Sequence, residues 1–460
     1  MAQNTVQFSN VSNRLDRLPI ARFHKLVLFV VSFAYFFEFA DTNTFSVAAP
    51  KLLKTWHLSI HAIANITSIS FLGMFVGAVV GGWLADKLGR KRALTATVIF
   101  FSVFSLLNAF SWDAASLGVF RFLTGVGLAA MTIVANTYIS EMFPSQFRGR
   151  YQALAIVIGI CGTPITSWIA RAFVPIGTWG WRLVFVWGAL GILALILNRK
   201  MIESPRWYES RNNYEMANKV MSEIERVVEA EKGPLPPAEE SHNTAKVKQM
   251  TVGQLLRGRY LGITALLTVL WVAETIGFFG YSSWAPTLLV KHGITVSKSL
   301  TYVALSTLGA PLGSYLAAVI ADRVDRKWTL VVSAVIIALS GLLYGLTFQP
   351  VLIVVFGLSV NIFERVFTAI AYAYTPELYP TEARGVGTGI PYGIGRLSNI
   401  VGPLIISGLF LQSGYRSVFF FIAASWVVGA IVIAMFGPRT KKRSLDEVST
   451  GKLELNSRAI

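Results

Sequence analysis

The chain has 460 residues, of which 54% are hydrophobic and only 14% charged. A soluble domain carries about a quarter charged residues; the apolar residues here run in blocks close to the ~20 residues that cross hydrocarbon, which excludes a soluble class. The net charge of +17 would suit a nucleic-acid partner, but the cations follow the loops between apolar blocks, and no nucleic acid is called for.

In chain order, residues 1–23 are polar and lack a signal-peptide apolar region and cleavage site. The first apolar block is therefore expected to act as the insertion signal. Twelve blocks follow, near 26–50, 62–84, 93–111, 115–138, 151–173, 182–198, 259–290, 299–320, 329–348, 350–374, 386–411 and 416–436. They predict an all-α membrane protein of twelve transmembrane helices in two six-helix bundles. The expected division is a tail at 1–23, a bundle at 24–198, a loop at 199–258, a bundle at 259–436 and a tail at 437–460. The loop contains Gly233-Pro234-Leu235-Pro236-Pro237. Within it, 213–231 places Met216, Val220, Ile224 and Val227 at helical spacing, which predicts a short amphipathic helix on the cytoplasmic surface. The single cysteine, Cys161, lies in an apolar block, so no intramolecular disulfide forms.

If the helices alternate, 31 of the 41 Lys and Arg fall on the side of the termini and about 7 on the other. Cytoplasmic loops of membrane proteins carry this excess. Both termini are thus expected in the cytoplasm, with the chain in the plasma (inner) membrane.

The two halves repeat at one offset of 236 residues. Asp86, Arg90 and Lys91 recur as Asp322, Arg326 and Lys327; Tyr138, Glu141, Pro144, Arg148 and Gly149 recur as Tyr374, Glu377, Pro380, Arg384 and Gly385. Pro50 pairs with Pro286, and Glu38 with Glu274. A duplicated six-helix unit is the simplest account, and repeats of this parallel kind place the binding site at their interface.

Gly82-Trp83-Leu84-Ala85-Asp86-Lys87-Leu88-Gly89-Arg90-Lys91-Arg92 resembles the major facilitator signature between helices 2 and 3. Arg121-Phe122-Leu123-Thr124-Gly125-Val126-Gly127 resembles the helix-4 motif of the same superfamily, and Glu203-Ser204-Pro205-Arg206-Trp207 the element after helix 6 in sugar porters and metabolite/proton symporters. The helix-7 glutamine pair of sugar porters is missing from 270–277. Glu38 and Asp41, 372–381 and Gly395-Arg396 look closer to aromatic-acid and niacin-type proton symporters, although Glu38 stands where those usually carry Asp. The resemblance implies alternating access, gated by Asp86, Arg90, Glu141 and Arg148 with a second copy in Asp322, Arg326, Glu377 and Arg384. Read from the residues alone, the same charges could serve only to fix topology and solubilise loops. Gly73, Gly77, Gly81 and Gly82 add small surfaces for close helix packing.

Seven ionisable residues fall within the expected spans: Glu38, Asp41, Arg121, Glu274, Glu364, Arg365 and Arg396. Each would cost roughly 2.5–3.5 kcal/mol facing lipid, so they are expected to line a cavity or pair. Glu38 and Asp41 share one helical face, and two carboxylates held close in poor solvent favour keeping a proton between them. Asp41 is the favoured proton carrier with Glu38 as partner, and Glu274 follows the same logic. The alternative is that one of them is bridged to Arg121 or Arg396. Adjacent on the helix, Glu364 and Arg365 are expected to point apart, one into the cavity. Arg396 and Arg365 are candidate anchors for an anionic substrate, since a guanidinium holds a carboxylate bidentately; the alternative is that they neutralise buried acids. Arg121 is expected to be more structural, and Tyr35 and Tyr281 are the aromatic candidates for stacking on a planar ring.

The expected function is proton symport of a small organic anion, an aromatic or heteroaromatic carboxylate. The alternatives are a proton antiporter exporting a cation, a sugar-type facilitator, or a sensor that retains the fold. The expected partners are the substrate, the proton and the lipid bilayer, with the chain a monomer and without a cofactor. No HExxH, GxSxG or Walker pattern occurs, so neither a metalloprotease site nor ATP-driven pumping has support.

Overall fold

In the computed structural model the described residues are 11–237, 250, 252–255, 257–320, 323–380 and 382–440. Asp322, the ends of both tails and 238–249 of the inter-bundle loop lie outside them. Ten helices among the described residues are long and apolar enough to cross a membrane. We number the crossings α1 (Arg22–Thr55), α2 (Ile60–Leu88), α3 (Arg90–Ala109), α4 (Ala114–Met142), α5 (Ser145–Phe173) and α6 (the shorter Trp181–Ile196). The second series is α7 (Gly258–Ser282), α8 (Val296–Ile320), α9 (Arg326–Leu346), α10 (Pro350–Glu377), α11 (384–413) and α12 (415–436). The last two run on as one 53-residue helix except at Gly414, whose φ of 80° breaks the helical path. That conformation is open to glycine at little cost. Side-chain caps set other boundaries: Ser59, Asp113, Thr295 and Asp325 each accept a backbone N–H of the helix that follows.

The 236-residue repeat is visible in the packing. A Cβ on Gly73 or Gly77 of α2 would lie 2.1 Å from the carbonyl oxygens of Phe122 and Val126 on α4. The same atoms on Gly309 and Gly313 of α8 would lie 2.6 and 2.2 Å from those of Leu358 and Ile362 on α10. All four pairs are related by the one offset, and these backbones touch only because no side chain intervenes. Tyr138 donates to the Ile202 carbonyl (2.5 Å), and its copy Tyr374 to that of Pro438 (2.8 Å), so each half ends with its following segment docked on the same tyrosine.

On the face opposite the termini the halves are joined. Ser46 of α1 donates to the carbonyl of Ser282, its own repeat counterpart, at 2.8 Å. That contact sits where a pseudo-twofold axis must pass. Arg171 of α5 donates to Thr301 of α8 (2.6 Å) at the same face. One apolar cluster runs through both halves there, taking in Phe45, Leu52, Ile60, Trp181 and Phe185 with Leu288, Leu289 and Leu300. On the face of the termini the first half has a separate cluster, built from residues such as Leu15, Val27, Leu94, Tyr138, Met142 and Ile224. Side chains such as Val79, Val351 and Phe436 are two-thirds or more exposed, a surface suited to lipid rather than water.

The amphipathic segment is a helix at Tyr214–Lys232, and its buried face is Ala217, Val220, Met221, Ile224 and Val228. Val227, expected on that face, is instead 41% exposed. The apolar stripe steps through 217, 220, 221, 224 and 228, and 227 falls outside it. A short helix at Val11–Asp16 packs on this stripe through Val11 and Leu15.

Candidate functional site

The loop charges form compact networks within each half. Arg90 makes a forked contact with Glu141 (2.8 and 2.9 Å) and reaches Asp86 at 3.2 Å. Glu203 accepts the backbone N–H groups of Arg90 (2.7 Å), Lys91 (3.0 Å) and Ser204 (3.0 Å). A carboxylate is well placed there, at the N-terminus of α3. Gly89 makes this possible: its φ is 92°, and a Cβ would lie 2.5 Å from Glu203 Oε2. Ser204 donates to Glu141 (2.5 Å), and Trp207 Nε1 to the Asp86 carbonyl (2.8 Å). In the second half Arg326 pairs with Glu377 at 2.6 Å, and Arg384 donates to the Pro376 carbonyl at 3.2 Å. Arg148 Nε is buried without a hydrogen-bond partner among the described residues. The named partners of Arg90 and Arg326 all lie in their own half in this conformation. Glu203 and Ser204 were absent from the expected network, although the motif containing them was the signal.

Deeper in the fold the intramembrane charges sort into unlike environments. Asp41 is fully buried and paired with Arg121 at 2.8 Å; Ser105 also donates to it, and Arg121 reaches the Thr44 hydroxyl at 3.3 Å. Glu38, one turn earlier, has no hydrogen bond or ion pair among the described residues. The positive charges acting on it are Arg396 and Arg365 of the other half. Tyr35 donates to Asn136 (2.7 Å), which also accepts from Gln152 (2.8 Å). The α1 face of the site therefore offers a free carboxylate above a neutral polar cluster.

The second half supplies the cations and the rings. Arg396 bonds to the Tyr392 hydroxyl through Nε (3.0 Å) and Nη2 (2.6 Å), and no carboxylate among the described residues lies within ion-pair distance. The guanidinium lies over the Tyr392 ring, and Trp271 meets both Tyr372 and Tyr392 edge to face (centroids 4.9 and 5.1 Å), with Tyr372 tilted against Tyr392 at 5.7 Å. Tyr372 is 49% exposed, so the cluster is open on one side. Arg365 does not point away from Glu364: its Nε lies 2.7 Å from Glu364 Oε2, because the long side chain folds back along the helix, and its guanidinium stacks on Phe278. Glu274 accepts from Thr275 (3.0 Å).

Tyr281, expected to line the site, is 4% exposed and packs against Tyr344 inside the second half. Trp271, Tyr372 and Tyr392 were not among the expected site residues. The repeat held a signal for Trp271, which is the copy of Tyr35. A Cβ on Gly159 would meet Tyr35, and one on its copy Gly395 would meet Trp271.

Comparison with known proteins gives the family. The model of the sugar (and other) transporter family matches residues 26–451. YyaJ of Bacillus subtilis (strain 168) is 48% identical over 96% of this chain and 98% of its own. The niacin transporter NiaP of Acinetobacter baylyi (strain ATCC 33305 / BD413 / ADP1) is 30% identical over 95% and 99%. The partially occluded, inward-open structure of the xylose transporter XylE from E. coli aligns with a TM-score of 0.73 at 17% identity, covering 92% of this chain and 100% of that one. The chain is a multi-pass membrane transporter of small molecules, belonging to the sugar (and other) transporter family of the major facilitator superfamily.

Proposed function

We propose that the protein is a proton-coupled symporter of a small aromatic or heteroaromatic carboxylate. The observation that carries this reading is Arg396. Arg121 is paired with Asp41 and Arg365 with Glu364, whereas Arg396 has a phenol but no carboxylate, and that phenol belongs to a cluster of three aromatic rings. A substrate carboxylate would complete the guanidinium fork, and its ring would stack on Trp271, Tyr372 or Tyr392. Nicotinate, the cargo implied by the name of NiaP, has this chemistry.

For the proton, the arrangement moves the favoured carrier from Asp41 to Glu38. Asp41 has a buried partner in Arg121, while Glu38 faces the site and can gain or lose a proton without breaking a bond within the protein. Asp41 becomes the fixed counter-charge behind it. The halves joined on the far face and the separate core near the termini support an inward-facing state, with both termini in the cytoplasm and the bilayer being the plasma membrane. The loop networks would engage across the halves when the protein turns outward. Nothing in this scheme requires more than a monomer.

The test is uptake into proteoliposomes of a panel of carboxylates, neutral sugars and organic cations, with and without an inward proton gradient. Accumulation of benzoate or nicotinate that needs the gradient supports the reading. Gradient-independent sugar uptake, or proton-driven expulsion of a cation, overturns it.

A further inference from the structure

We propose that Glu274 and Glu364 form a second proton-holding pair, sharing one proton through the hydroxyl of Thr368. Thr368 Oγ1 lies 2.9 Å from Glu364 Oε1 and 3.2 Å from Glu274 Oε1, both within hydrogen-bond distance. A threonine hydroxyl carries one proton. With both carboxyls ionised, one of these two contacts would have lone pairs facing lone pairs; Glu364 and Glu274 are 1% and 7% exposed and Thr368 is half-buried, so the arrangement is unfavourable. One added proton resolves it: a protonated carboxyl donates to the Thr368 oxygen, and Thr368 donates to the other carboxylate.

The surroundings decide which member holds the proton. Arg365 lies 2.7 Å from Glu364 Oε2, a counter-charge that favours the ionised form at Glu364 over Glu274. Neither atom of that contact has hydrogen-bond alignment, and both are buried without such a partner. Glu274 faces Thr275 and Thr368 at bonding distance and feels Arg396 and Arg365 only through space. Glu274 therefore carries the proton and Glu364 the charge. Thr368 joins α7 to α10 and is a positioning residue that the sequence reading did not single out. The transfer is balanced: the Glu274 proton moves to Thr368 Oγ1 as the Thr368 proton moves to Glu364, leaving Glu274 ionised and Thr368 unchanged. If Arg365 turns toward a bound anion, Glu364 loses its counter-charge and the proton moves in that direction. This last step rests on the symport reading above, whereas the resting arrangement does not.

The experiment is infrared spectroscopy of the purified full-length protein at neutral pH without substrate, in a Glu38→Gln background that removes the carrier's own carboxyl signal, so its outcome is independent of any uptake result. This parent should show a protonated-carboxyl carbonyl band that disappears when Glu274→Gln is added. The band should shift in Thr368→Val, which keeps the shape without the hydroxyl, and return in Thr368→Ser. In Glu364→Gln, whose amide can donate to Thr368 and so removes the need for a shared proton, the band should also be lost. Persistence of the band in Glu274→Gln or in Glu364→Gln, or indifference to Thr368→Val, would overturn the proposal. Melting curves for every variant establish that folded protein is being compared.

Discussion

Replacing Asp41 by asparagine and Glu38 by glutamine should have opposite consequences, although the two residues are one helical turn apart. Asp41 is 0% exposed and its partner Arg121 is 4% exposed. Removing one member of a buried pair costs about 3–5 kcal/mol, because the remaining charge has no solvent. The introduced asparagine could still accept from Ser105, and Arg121 would keep Thr44, so the loss for Asp41→Asn should fall near ~3 kcal/mol, the lower end. Glu38 has no bond to lose among the described residues, and Glu38→Gln should melt close to wild type. A thermal unfolding assay on detergent-purified protein, paired with gradient-driven uptake, reads both. Asp41→Asn should melt clearly lower, and adding Arg121→Gln should recover part of the loss because the orphaned charge is gone. Glu38→Gln should keep its fold and facilitated uptake while losing accumulation against a gradient. If Asp41→Asn instead melts like wild type and alone loses accumulation, Asp41 is the carrier and the division of roles is wrong.

Three further outcomes follow from the geometry. Arg396→Ala should weaken carboxylate binding by roughly 10–100-fold, the equivalent of about 1.5–3 kcal/mol for a charged hydrogen bond; Arg396→Lys should recover only part, since an ammonium lacks the fork. Unchanged affinity in a binding titration would move the anchor elsewhere. Gly77→Val and Gly313→Val should both reduce folded yield in size-exclusion profiles, because each Cβ would lie about 2 Å from a backbone oxygen of the neighbouring helix, while Gly149→Ala, whose Cβ would meet no atom beyond its own helical turn within 4 Å, should be silent. Outside the membrane, burial raises the Glu225 carboxyl pKa, but hydrogen bonds from Arg14 and Arg17 outweigh this and hold it below the usual value. The docking of Val11–Asp16 through Glu225 should therefore be at full strength above the ordinary carboxylate range and weaken only as pH falls through the depressed folded value. Hydrogen exchange of that segment across acid pH checks the sign; protection that grows on acidification would refute it.

Much of the architecture was legible because it depends on spacing. The blocks gave twelve crossings, and the 236-residue offset anticipated that Tyr138 and Tyr374, and the Arg90–Glu141 and Arg326–Glu377 pairs, make equivalent contacts; the matching glycines of α2 and α8 were not paired from the sequence. Ser46 meeting Ser282 is that offset drawn as a single hydrogen bond. The pairing of charges was less legible. That Asp41 takes Arg121 while Glu38 stays free depends on which way α1 turns against α4, and one turn of helix separates a bridge from a free acid. Arg365 folding back onto Glu364 has the same origin, since a long side chain reaches places that helical spacing does not specify. Tyr281 stands two helical turns beyond Glu274 in sequence, but the helix turns it toward Tyr344. Trp271, the copy of Tyr35, faces the site instead. Val227 differs for a simpler reason: its register lies just beyond a stripe defined by five neighbours.

The most direct test of the account follows the proton itself. Proteoliposomes in lightly buffered medium receive an aromatic carboxylate while external pH is recorded. The account predicts alkalinisation outside that tracks uptake and is abolished by Glu38→Gln. Acidification, or uptake with no proton movement, would contradict it.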